Sequence, residues 1–217
     1  MSPSHRSCAC VLALVACLGL AANHLLADEC GETPQTWKPL WDGKTLGGWH
    51  KQGGGEWAIK DGMIVGTNVK AERRHGHLIS DKVFDDFTVR LVYKSLKGNS
   101  GFYFRVQLAP PYGVKGFQAE IDPRSNPGGL YETAGRAWVA RPTAEVIKKC
   151  FKPGDWNQMT VSAHGKHLIV HVNGVKTAEL KNDPGRLKGH LALQLHGGQD
   201  VTVMFKSIEL LVAPGKK

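Results

Sequence analysis

Cysteine is scarce in this chain, with five in 217 residues and three of them before position 18. That excludes a small scaffold stapled by several disulfides. Beyond the N-terminal segment no stretch is apolar for even half of the ~20 residues that a membrane-spanning helix needs. Helix-period patterning is nearly missing after the first thirty residues, while Gly (26) and Pro (11) are plentiful, so the expectation moves to a turn-rich β protein. No internal repeat, low-complexity tract, linker, HExxH motif or close Cys/His cluster is found. Gly43-Lys44-Thr45 ends like a phosphate loop, but Lys38 stands where the leading glycine belongs. With 41% hydrophobic and 22% charged residues, the composition excludes a disordered chain. A chain of this length buries roughly 70% of its unfolded surface.

The first 27 residues carry one Arg, then an apolar run from Cys8 to Ala22 and a small-residue exit near Ala27, which is the anatomy of a secretory signal. Residues 28–217 are then one exported domain, periplasmic or secreted, with residues 28–40 as an irregular lead-in. Leu14-Val15-Ala16-Cys17 resembles a lipobox, so a lipid anchor on Cys17 is the alternative fate. Removal of the signal leaves Cys30 and Cys150, an even pair that suggests one disulfide. The formal net charge is +9, but the Lys and Arg are scattered and no aromatic-interleaved basic stripe appears. A nucleic-acid partner is therefore not expected.

Short alternating segments recur between turn signals from Trp57 to Val212, the pattern of an all-β, two-sheet antiparallel sandwich. His167–Val172, Asn173-Gly174 and Val175–Glu179 read as a hairpin, because Asn-Gly is the preferred type I′ pair. Ala144–Lys149, between Pro142 and Pro153, is the one helical turn expected. Side chains in a strand alternate between faces. Phe102, Phe104 and Val106 oppose Tyr103, Arg105 and Gln107. Phe117, Ala119 and Ile121 oppose Gln118, Glu120 and Asp122, and Leu191, Leu193 and Leu195 oppose Ala192, Gln194 and His196. The first face of each strand suits a core. The second consists of hydrogen-bonding groups suited to sugar hydroxyls, with Tyr103, Tyr131, Trp138 or Trp156 able to cover an apolar sugar face. Asn99, in a turn before the first of these strands, can point into the same cleft, whereas His75 and His77, beside Arg73-Arg74, read as loop residues.

Asn99-Ser100-Gly101 through Arg105, Gly116 through Asp122, Trp156-Asn157, Asn173-Gly174, Gln194-Leu195-His196-Gly197 and the opening Trp41 through Trp49 together resemble the 3-keto-disaccharide hydrolase family, over roughly residues 37–212. The chain departs from many members in having Gln118 then Glu120, where they have Glu then Gln. The resemblance implies a concanavalin-like jelly roll with its site on the concave sheet, and a small carbohydrate substrate already oxidised to a ketone at C3. That chemistry needs a base, an acid and an enolate stabiliser. His196 or Glu120 is the expected base, Arg105 the enolate-side cation, and Asp122 or Tyr131 the group near the leaving oxygen. Asn99, Tyr103, Gln118, Tyr131, Trp156 and Gln194 are expected to bind the sugar. Glu120, Asp122 and His196 could also hold a divalent metal. Two other readings stand beside this one: a two-carboxylate glycosidase using Glu120 and Asp122, and a non-catalytic lectin-like module using the same face.

Overall fold

A computed structural model describes residues 36–111 and 113–212 of the protein; the expected signal segment, Cys17 and Cys30 lie outside the described residues. In chain order the strands are β1 (Thr36–Pro39), β2 (Trp49–Gly53), β3 (Glu56–Lys60), β4 (Met63–Asn68), β5 (Gly76–Phe84), β6 (Phe87–Lys97), β7 (Ser100–Ala109), β8 (Gly113–Ile121), β9 (Leu130–Thr133), β10 (Ala137–Ala140), β11 (Asn157–His164), β12 (His167–Val172), β13 (Val175–Leu180), β14 (Gly189–Leu195) and β15 (Val201–Val212), with α1 (Ala144–Cys150) between β10 and β11. They form two antiparallel sheets. One is ordered β13-β12-β11-β6-β15-β4-β3, with β1 also on β15, and the other β10-β9-β8-β7-β14-β5-β2.

The core is the shared apolar face of the two sheets. Phe104 stacks on Phe117 at 5.5 Å and meets Phe87 edge-on at 5.8 Å. Leu91, Val161, Leu193, Val203 and Phe205 fill the same layer. Removing a buried Phe ring from such a layer costs about 3–5 kcal/mol. The hairpin forms where Asn-Gly placed it, with Asn173 and Gly174 at φ 48° and 81°, as type I′ geometry requires.

Four expectations are corrected. The lead-in is not irregular throughout: Thr36–Pro39 pairs with the last residues of β15, and its partner lies nearly the whole chain away. The strict alternation in β7 fails after Phe104, where the register with β8 shifts and Arg105 takes φ +53°. This bulge inverts the parity, so Val106 joins Tyr103 on the outer side of the sheet. The bulge presses on β14 at Gly189, where a Cβ would stand 2.2 Å from the Arg105 carbonyl carbon. Cys150 is a free, buried thiol at the end of α1, its sulfur 3.9 Å from the Ile147 carbonyl, so no disulfide is found among the described residues, and the expected partner Cys30 lies outside them. Finally, Trp156 belongs to the other sheet's surroundings, with the Lys94 ammonium 5.0 Å from its ring centroid.

Candidate functional site

Antiparallel register aligns side chains of neighbouring strands into rows. On the open face of the seven-stranded sheet one row runs Trp138, Tyr131, Gln118, Tyr103, Ala192, Ile79, His50. The next runs Glu120, Gly101, Gln194, His77, Gln52. A third is formed where the strands end: the His196 amide donates to the Asn99 carbonyl at 3.2 Å, the Asn99 side chain reaches Asp122, and the His75 ring meets His196 edge-on at 4.5 Å. Over these rows lies a cavity of about 610 Å³ whose lining includes Asn99, Tyr103, Gln118, Glu120, Tyr131, Gln194 and His196, with Arg73 and Arg74 at its border.

Between Glu120 and Gln194 the second row offers no side chain, because the residue there is Gly101. A Cβ there would lie 2.5 Å from Gln118 Nε2, so the glycine leaves the space in which the Gln118 amide lies. From that position Gln118 Nε2 donates to Glu120 Oε2 at 2.9 Å and to Gln194 Oε1 at 3.3 Å. Gln194 Nε2 in turn donates to the Tyr103 hydroxyl at 3.3 Å, which contacts Thr133 Oγ1 at 2.9 Å. Asn99 Nδ2 donates to Glu120 Oε1. A continuous polar chain therefore links four of the seven strands, β9, β8, β7 and β14, and holds each amide in one orientation.

Glu120 is 4% exposed. Burial pushes its carboxyl up to about 8, against the opposing hydrogen bond from Asn99, with the nearby Asp122 charge adding to the rise. The group is therefore a protonated acid at neutral pH. His196 Nδ1 lies 2.7 Å from the Gly197 carbonyl. A carbonyl only accepts, so Nδ1 carries the hydrogen and Nε2 of the neutral ring keeps its lone pair. Tyr103 is held above the usual phenol range by burial. Tyr131 and Trp138 meet edge-to-face at 5.3 Å and form an aromatic wall, with the Arg141 guanidinium 4.8 Å from the Trp138 ring centroid.

The remaining expected site residues lie elsewhere. Asp122 is 5% exposed and sits behind Asn99, accepting from the Arg124 amide at 2.8 Å and from Arg124 Nε at 3.3 Å. Arg105, turned away by the bulge, donates to the Arg186 and Asp85 carbonyls at 3.0 and 3.4 Å and faces Asp86 at 3.6 Å. It is absent from the cavity wall, as is Trp156. Among the described residues no group of three His, Cys, Asp or Glu side chains is arranged to hold a metal ion. The Glu120 and Asp122 oxygens are instead engaged by Asn99, Gln118 and Arg124.

Two histidines read as loop residues line the cavity. β5 begins at Gly76, so His77 is in a strand, 2% exposed, with neither ring nitrogen hydrogen-bonded to the protein. Burial, with His75 adding to it, lowers His77 to about 4, and burial followed by the His196 neighbour lowers His75 as well. Leaving a buried polar group unmet costs about 1–3 kcal/mol. The available signal was the alternation of His77 and Ile79 against Leu78 and Ser80, which the adjacent Arg73-Arg74 obscured.

Residues 36–211 match the 3-keto-alpha-glucoside-1,2-lyase-like domain. A candidate glycosyl hydrolase of Parabacteroides distasonis ATCC 8503 superimposes with a TM-score of 0.59 at 22% identity, covering 81% of this chain and 93% of that one. A Bacillus subtilis protein of unknown function with a galectin-like fold gives a TM-score of 0.62 at 12% identity, covering 81% and 98%. The carbohydrate binding module CBM66 from Bacillus subtilis gives 0.59 at 15% identity, covering 74% and 93%. These likenesses show the fold. No curated protein matches the chain at significant similarity.

Proposed function

This chain belongs to the 3-keto-alpha-glucoside-1,2-lyase-like family, and we propose that it is an exported enzyme cleaving the glycosidic bond of 3-keto glycosides. The C3 ketone acidifies the hydrogen on C2. His196 Nε2 takes that proton, the electron pair moves into the C1–C2 bond through the enolate, and the C1–O bond breaks. Glu120 gives its proton to the departing oxygen. Water then adds at C1, losing a proton to the Glu120 carboxylate, while the imidazolium returns its proton to C2, so the net change is hydrolysis. Gln118, Gln194 and Asn99 orient hydroxyls, and Tyr131 with Trp138 offers an apolar wall to a sugar ring.

The observation that carries this reading is the pairing of a carboxyl kept protonated by burial with an imidazole whose Nε2 is free, on one cavity wall. Sugar binding alone requires neither. A two-carboxylate glycosidase is disfavoured because Asp122, the second carboxylate, is held by Arg124 behind Asn99. The similarity to CBM66 and to a galectin-like fold keeps the lectin reading as the competitor. Product analysis on a 3-keto disaccharide and on its unoxidised parent separates the two. Cleavage of the ketone alone, with solvent deuterium appearing at C2, is the expected result; binding of both sugars without any product would replace the enzyme with the lectin.

A further inference from the structure

The chemistry proposed above develops negative charge on the C3 oxygen, and Arg105, the cation expected there, points to Asp86 and the Arg186 carbonyl instead. We propose that His77 fills this role, donating a ring N–H hydrogen bond to the C3 keto oxygen and stabilising the enolate. The inference rests on the 3-keto glycoside reading.

Three observations lead to it. His77 is a cavity-lining side chain buried to 2% exposure with both nitrogens unmet by the protein. One ring nitrogen therefore has an N–H to offer and no internal acceptor to give it to. Secondly, the strand order matches the order of atoms in the substrate. C2 lies between C1 and C3, so the base must stand between the leaving-oxygen acid and the ketone donor. Across the sheet the order is β8, β7, β14, β5, which reads Glu120, then Gly101, then His196 in the adjoining row just past β14, then His77. Four strands spaced about 4.8 Å apart set the Glu120 and His77 backbones roughly 14 Å apart, and two inward-reaching side chains leave room for one pyranose ring. Thirdly, the groups around His77 keep its ring uncharged: burial dominates, His75 is the neighbouring titratable group, Tyr103 presents its ring edge-on at 5.7 Å, and Gln52 and Gln194 flank it in register. A neutral imidazole can polarise a carbonyl without surrendering its proton in the ground state.

The test uses a 3-keto sugar with hydrogen in place of the leaving oxygen at C1, labelled with ¹³C at C3. The full-length protein in D₂O should exchange the C2 hydrogen of this probe. His77→Leu should slow the exchange about 10²-fold or more, the range for losing one oxyanion donor. His77→Gln, which keeps an N–H, should recover part of the loss. In wild type the bound C3 resonance should shift downfield relative to free probe and lose that shift in His77→Leu; the wild-type readout needs no variant, so its absence overturns the role even if His77→Leu does not fold. Exchange by His77→Leu within about threefold of wild type, or no ¹³C shift in the wild-type complex, would overturn the role of His77 alone. Absence of C2 exchange and of disaccharide cleavage in wild type would overturn the 3-keto reading together with it.

Discussion

The outer face of the eight-stranded sheet and the open face of the seven-stranded sheet are built from the same pleat, yet they treat polar groups in opposite ways. On the outer face charges neutralise one another near water: Arg90 pairs with Glu209 at 2.7 Å, and Glu179 takes His167, Lys176 and Lys181 together. Thr88 and Ser162 share a hydrogen bond at 3.0 Å. Such exposed pairs contribute little individually, about 0–1 kcal/mol. On the open face the carboxyl of Glu120 has amide donors but no cation, and the His77 ring nitrogens have no hydrogen-bond partner in the protein. Groups held away from their ordinary protonation equilibrium and facing a cavity are suited to proton transfer, whereas self-neutralised pairs are suited only to support.

The difference can be broken most severely at Glu120. Glu120→Gln keeps the shape and the hydrogen-bonding capacity but cannot donate an acidic proton, so turnover of a 3-keto disaccharide should fall by about 10²-fold or more, with little change in sugar affinity by calorimetry. Gly101→Val should act next: its Cβ would displace the Gln118 amide, so KM rises and the melting temperature drops, by an overpacking cost of about 1–3 kcal/mol. Gln118→Ala leaves Glu120 in place and should raise KM more than it lowers kcat, checked by steady-state kinetics. Arg90→Ala on the opposite sheet should leave kinetics unchanged and cost no more than about 1 kcal/mol in a denaturant titration.

Stability against pH sharpens the same contrast. The folded state raises Glu120 from 4.5 to about 8, so it binds a proton that the unfolded chain has released. The resulting contribution is present at acid pH and is lost as pH rises from 4.5 through 8. His77 is lowered from 6.5 to about 4, so its contribution is present above 6.5 and is lost as pH falls through 4. Melting curves of Glu120→Gln and wild type should accordingly diverge in the variant's favour across the first window.

The apolar faces of β8 and β14 are legible in the sequence because both strands keep strict alternation through their buried stretches, and Gln118, Glu120 and Gln194 follow from that alternation. Arg105 is not legible by the same rule. Its inversion depends on a bulge pressed against Gly189, a residue on a strand more than eighty positions away, and local periodicity carries no trace of it. His77 is obscured for a different reason: β5 begins inside a segment whose arginines and glycine look like a loop, and its strand state is imposed by pairing with β2 and β14. Trp156 lies one residue before β11, in the other sheet, a fact that only the strand order supplies.

The proposed acid in cleavage is Glu120, buried and with its carboxyl raised to about 8. The most direct measurement is the pH dependence of kcat/KM on a 3-keto disaccharide for wild type and Glu120→Gln. With Glu120 as the acid, wild-type activity should decline on the alkaline side with an apparent pKa near 8, and this limb should disappear in the low residual activity of the variant. A wild-type profile that rises through pH 8, or an alkaline limb retained unchanged in Glu120→Gln, would contradict that role.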